Sequence, residues 1–225
     1  MLLRLFFVIG LLLSVTVNGW CQARFSLSTG LSVYRSFTEQ QQFTSLGQSV
    51  QTQMHLNPKH GPYAAISYYV RGRFSNNFVA TAKQPATTPA SRNFRVDANW
   101  RIAEFSLGWR TYLLGNFSNT QYLNVFARGG FGILFIRAEN TTPALPDTAL
   151  YTLPPNPQLG TSTLRRLTLD AAVGAERSLS RNLFVFGELS TAILLSDTPS
   201  PLRHTDAPFP RGLALTAGIR ILFGD

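Results

Sequence analysis

A serine hydroxyl becomes a useful nucleophile only beside a base, and histidine is the side chain that most often supplies one. The chain holds three histidines, His55, His60 and His204. Each falls in or at the edge of a long polar stretch that reads as a loop, and none stands on a strand beside a serine, so a Ser–His–acid set is not expected. His55 and His60 are five positions apart in HLNPKH, with no cysteine or carboxylate near them in sequence, a poor ligand set for a metal ion. Gly129, Gly130 and Gly132 lie inside a stretch of period two. They read as room for close packing or curvature, not as a phosphate loop.

The charges say more. Glu104, Arg110, Arg128, Arg166, Asp170, Glu176, Glu188 and Arg220 occur singly among glycine, alanine, serine and threonine, alternating with apolar residues. Period two collects such residues on one face of a strand. A sheet face turned to water usually carries many lysines, yet lysine is nearly absent from these stretches. A few charges of both signs set among small residues suit the inside of a narrow cylinder. There they are tolerable only when paired and hydrogen-bonded. The chemistry on offer is either a network of salt bridges that fills and stiffens a lumen, or a narrow gate in which those pairs rearrange.

Eight strands are needed to position them. Alternation predicts strands over 24–35, 61–73, 78–83, 102–114, 121–137, 166–177, 182–195 and 212–223. Short connections at 74–77, 115–120 and 178–181 alternate with long ones at 36–60, 84–101, 138–165 and 196–211. In an up-and-down meander this puts every short turn, and both termini, at one end. The long loops, polar and rich in proline as in SDTPSPLRHTDAPFP, then crowd the other. A transmembrane β-barrel commonly has this asymmetry.

The N-terminus supplies the export context. LFFVIGLLLSVTV (Leu5–Val17) follows one arginine, is too short to span a bilayer comfortably as a helix, and has the layout of a secretory signal. Cleavage after CQA assigns 1–23 to a signal peptide and 24–225 to a single barrel domain. Lipidation of Cys21 is disfavoured by Trp20 before it, and cleavage at Ala23 leaves the mature chain without cysteine and so without disulfides.

The opposite face of the strands is apolar. It reads Phe105, Leu107, Trp109, Thr111, Leu113 on one strand and Leu213, Leu215, Ala217, Ile219, Ile221, Phe223 on the last. Charge appears on it only near strand ends, at Arg137 and Arg177, as a lipid-facing wall requires. Closed pairing satisfies every backbone group, the condition for a sheet in lipid. The competing arrangement is a soluble barrel with the same apolar face turned inward around a ligand. It gives no reason for long loops after every upward strand.

With these features the sequence resembles the small eight-stranded outer-membrane barrels of Gram-negative bacteria, OmpA-like or OmpX-like, over the whole mature chain and without a peptidoglycan-binding domain. TAGIRILF is similar to their C-terminal signal for the barrel-assembly machinery, with Thr216, Gly218, Ile221 and Phe223 at the matching positions, although Gly224 and Asp225 follow the aromatic. AAVGAERSLSRNLFVFGELS (171–190) resembles one of their hairpins.

The resemblance implies an all-β, antiparallel, up-and-down transmembrane barrel in the bacterial outer membrane, with short periplasmic turns and long extracellular loops. Among similar barrels are lipid A hydrolases, whose lipid-exposed His–Ser pair has no counterpart expected here, and lipid A acyltransferases.

The expected function is therefore non-enzymatic, contributing to envelope integrity or surface contact through the long loops. Transport or binding of a small solute in the charged lumen is the alternative, and a lipid-modifying enzyme the third reading. No cofactor or metal is expected, and the chain is expected to be monomeric. The formal net charge of +9 is scattered rather than massed, which argues against nucleic acid and for lipopolysaccharide at the rim as partner. Tyr34, Tyr112, Tyr122 and Phe135 would form aromatic girdles.

Overall fold

The computed structural model describes residues 24–155, 158–195 and 211–224, and they form an antiparallel β-barrel. The strands are β1 (Arg24–Ser36), β2 (Thr44–His55), β3 (His60–Ala82), β4 (Ser91–Leu114), β5 (Asn124–Thr141), β6 (Tyr151–Thr152), β7 (Gly160–Ser178), β8 (Leu183–Leu194) and β9 (Gly212–Phe223). Each barrel strand pairs with its sequence neighbours, β1 closes on β9, and the two-residue β6 adds to β3 outside the ring, which therefore has eight strands.

Two strand expectations are corrected. The stretch 36–60 is not one long loop: it contains β2, paired along its length with β1 and β3. The predicted strands 61–73 and 78–83 are one strand, β3, and the expected turn at 74–77 is mid-strand, paired with 95–98 of β4. The errors offset each other in number. The connections at the end carrying both termini (the lower rim) are 56–59, 115–123 and 179–182; at the upper rim lie 37–43 and 83–90, where β5 and β8 also end and β7 and β9 begin, while 156–157 and 196–210 of the expected long loops lie outside the described residues.

Register fixes the shape of the cylinder. Cross-strand partners followed once round the ring, Ile102–Tyr69–Gly47–Ser32–Thr216–Glu188–Gly174–Phe126–Tyr112, return to β4 ten residues from the start. A stagger of that size tilts strands by roughly 35–45° and gives an eight-stranded barrel an interior just wide enough for side chains.

The barrel is taller on one side. β3 and β4 have 23 and 24 residues and β5 and β7 have 18 and 19, against 12 or 13 in β1, β2, β8 and β9. The extra length projects past the upper rim as an extension of β3, β4, β5 and β7. At its base β3 bulges: Tyr69 pairs with Ile102 and Gly72 with Trp100, and Arg71 adopts φ +61°. The bulge exchanges the faces of β3. Tyr63, Ala65 and Tyr69 point inward below it, whereas Gly72, Phe74, Asn76 and Ala80 do so above.

Apolar side chains face outward around the ring, including Leu31, Leu107, Phe131, Leu167, Leu189 and Leu215, all exposed. This is the inverse of a soluble barrel and the arrangement of one immersed in lipid.

Candidate functional site

The lumen is filled in three layers. At the lower rim Glu176 of β7 is the centre of an ion cluster. Its Oε2 accepts from Arg110 Nη2 at 2.8 Å and Arg220 Nε at 2.9 Å; its Oε1 accepts from Arg220 Nη2 at 2.6 Å and the Tyr112 hydroxyl at 2.9 Å. The two guanidiniums lie over aromatic faces, Arg110 3.4 Å from the Phe126 ring centre and Arg220 3.9 Å from that of Phe184. A second Arg220 contact goes to the Phe117 carbonyl at 2.9 Å. Phe117 belongs to the 115–123 turn, whose Asn116 and Asn119 side chains each accept from a backbone N–H two residues on. That turn reaches under the mouth of the barrel and buries Phe117 against Tyr112, Phe126, Phe184 and Leu222.

The middle layer is polar. Arg128 forms a two-pronged pair with Glu188, Nε to Oε2 at 3.0 Å and Nη2 to Oε1 at 2.8 Å, and lies 5.0 Å from the Tyr63 ring centre. Asp170 accepts from Thr168 at 2.9 Å and lies beside Glu104. Arg128, Asp170 and Glu104, with Ser67, Ser106 and Ser190, line a cavity of about 30 Å³, room for one or two waters. Gly132 provides the space for the Asp170 carboxylate: a Cβ there would stand 2.4 Å from Oδ2.

The upper layer is aromatic. Phe43, carried in by the 37–43 connection, packs among Tyr34, Tyr69, Phe74 and Trp100 above Ile102, Leu134 and Ile136. Above it, Tyr151 of β6 covers Phe94, Val96 and Ala80 on the inner face of the extension, donating to the Pro89 carbonyl at 3.1 Å.

The structure thus divides the sequence-derived charged set. Arg110, Glu176 and Arg220 form the lower cluster, Arg128 and Glu188 the middle pair, and Glu104 and Asp170 an adjacent acid pair. Arg166 points to the interior side of β7 but its guanidinium donates to the Arg165 carbonyl. On β9 Thr216 is buried and hydrogen-bonds Ser32, Gly218 faces Gly30 across the β1 ladder, and Ile221 and Phe223 face outward.

Other residues differ from expectation. His55 is on a strand and does meet a serine: Nε2 lies 3.0 Å from Ser26 Oγ, both buried in the lumen, with the imidazole stacked on Phe117 at 4.2 Å between ring centres. Sequence reading missed this because β2 went unrecognised. The pair faces away from lipid, and among the described residues no hydrogen bond joins His55 to a carboxylate that could orient it as a base. His60, at the start of β3, lies 3.2 Å from Thr111 Oγ1; His204, Cys21 and the 1–23 segment lie outside the described residues. Tyr34 and Tyr112 face the lumen, not the lipid interface; Tyr122 and Phe135 are exposed. Arg71 and Arg73, which strict alternation from Tyr69 would turn into the lumen, face outward because of the bulge.

No protein-family model and no curated protein matches the sequence. Solved structures do match the fold. Neisserial surface protein A superposes with a TM-score of 0.54 at 9% identity, covering 88% of this chain and 97% of that one. A major outer membrane protein of Thermus thermophilus gives 0.55 at 13% identity, over 89% and 99%. Ail, the attachment invasion locus protein of Yersinia pestis, gives 0.50 at 10%, over 90% and 100%. At these identities the likeness is one of fold: the chain folds as a small eight-stranded outer-membrane β-barrel.

Proposed function

We propose that this chain is a sealed, non-enzymatic barrel of the outer membrane that holds a rigid β-extension outside the cell for surface contact or envelope integrity. Residues 1–23 direct its export, and the lower rim is periplasmic. The observation that carries the reading is the closure of the lumen by packed side chains at both ends, with Glu176 and its arginines below and Phe43 and Trp100 above. The barrel spends its interior on rigidity and its excess strand length on the exterior. The buried Ser26–His55 pair faces the lumen, with no carboxylate hydrogen-bonded to His55 among the described residues, and supports no hydrolase of the lipid-facing kind.

Planar-bilayer recording on the folded chain tests this. A silent trace, with a gel band that shifts on boiling, is the expected result; steady conductance would favour solute transport through the lumen, for which the Glu104–Asp170 cavity would be the binding point. Replacing 76–96 by a short turn should leave the heat-shifted band intact and abolish any surface attachment the chain confers.

A further inference from the structure

The outer wall of the tall side carries an arrangement that β-pairing alone disfavours. Arg101 of β4 and Arg137 of β5 are direct cross-strand partners on the lipid-facing side, and both are exposed. Directly opposed side chains have Cβ atoms about 4.5–5.5 Å apart, and like charges there are destabilising. The row continues on either side. Arg71 lies in the bulge opposite Arg101 on β3, turned outward by its φ of +61°. On β7, Arg165 pairs across from Phe135, one step below Arg137, and its guanidinium lies 5.8 Å from that ring centre.

Four adjacent strands therefore present four exposed arginines in one short band, with Arg71, Arg101 and Arg137 side by side and Arg165 one step lower. Directly beneath them the wall is apolar, with Phe105, Ile133, Phe135 and Leu167. On the same face above, Asp97 is paired with Arg95 at 2.7 Å, which leaves Glu139 as the acid nearest the row. On the short side Arg35 and Leu213 are the outward pair at the strand tops.

Resting on the reading above, which sets this wall in the outer leaflet, we infer that Arg71, Arg101, Arg137 and Arg165 form a one-sided binding row for the phosphates of a lipid A head group, with its acyl chains against the apolar wall below. An arginine fork matches phosphate oxygens two at a time, so a bridging phosphate turns the Arg101–Arg137 repulsion into shared coordination. The level of the row, where apolar wall gives way to charge, is that of lipid head groups. A soluble polyanion would have no use for the Phe135 platform.

Native mass spectrometry of the full mature barrel in neutral detergent tests this, with bis-phosphorylated lipid A, dephosphorylated lipid A, phosphatidylglycerol and heparin as probes. Adducts with bis-phosphorylated lipid A should dominate. The Arg101→Gln/Arg137→Gln variant should lose them about tenfold, and Arg177→Gln, at the opposite end of β7, should keep them. Equal retention of dephosphorylated lipid A, of phosphatidylglycerol or of heparin would overturn the inference, as would a double variant that binds normally. If the double variant does not fold, Arg165→Gln and the phosphate dependence of the native chain decide the matter. The same preparation is checked for bilayer conductance. A silent, heat-shifted barrel without lipid A preference ends this inference alone, whereas a conducting one ends the sealed-scaffold reading.

Discussion

The Glu176 carboxylate and the Arg220 guanidinium meet through two hydrogen bonds, at 2.6 and 2.9 Å, with both side chains wholly removed from solvent. Two cations on one carboxylate leave a net charge in the cluster, and the rings of Phe126 and Phe184 take up part of it. Such a cluster is costly to break from one side. Glu176→Gln leaves two buried guanidiniums without a carboxylate and should destabilise the barrel by about 3–5 kcal/mol, read as a lower urea midpoint for loss of the compact gel band. Replacing Arg110, Glu176 and Arg220 together by methionine, leucine and methionine should recover most of that loss, since well-packed apolar residues often equal a buried ion cluster. An unchanged midpoint for Glu176→Gln would show that the cluster contributes nothing to stability.

Gly132 and Gly129 are close in sequence and opposite in consequence. An alanine Cβ at Gly132 would press on Asp170 Oδ2 at 2.4 Å and Thr168 Oγ1 at 2.6 Å, whereas at Gly129 the nearest atom is 3.8 Å away. Gly132→Ala should cost about 1–3 kcal/mol through overpacking, and Gly129→Ala should be close to neutral. Urea midpoints of the two variants check this directly, and equal midpoints would contradict the geometry.

The pattern of the strands was legible wherever one face is purely apolar, as in β9, where Leu213, Leu215, Ile219, Ile221 and Phe223 all face outward. It failed at β2 because Gln48 and Thr52 share the outward face with Leu46 and Val50, so hydrophobicity no longer marks the wall. It failed again in β3 because FSNN, which in isolation reads as a turn, lies in the extension above the apolar belt, where polar residues face water on a continuous strand. The lower cluster was legible as residue types but not as partners: Glu176 lies 66 positions from Arg110 and 44 from Arg220, and only the register of the closed ring brings them together. The arginine row was hidden in the same way, since a single inserted residue at Arg71 reverses which face of β3 is outside.

That bulge makes its own prediction. Arg71 holds a positive φ that costs a non-glycine residue about 1 kcal/mol or more. Arg71→Gly should therefore fold at least as stably as the native chain while removing one cation from the outer wall. Arg71→Val, β-branched and poorly suited to positive φ, should lose stability by roughly 1–2 kcal/mol. A valine variant as stable as the glycine one would mean that the bulge relaxes to a regular ladder.

Closure at two levels predicts a particular pattern of conductance. Phe43→Ala removes the side chain that the 37–43 connection inserts among Tyr34, Tyr69, Phe74 and Trp100, but the Glu176 cluster and Phe117 still block the lower mouth. Phe117→Ala combined with Glu176→Ala opens that mouth, but the aromatic layer remains above. Because the two seals act in series, each opening alone should stay silent in bilayer recordings, and conductance should appear only when all three substitutions are combined. The pore so made would be narrow, since an eight-stranded ring encloses little more than its own side chains. Conductance from Phe43→Ala alone would show that the lower cluster is a gate and not a seal, and the charged lumen would then be a path for solute.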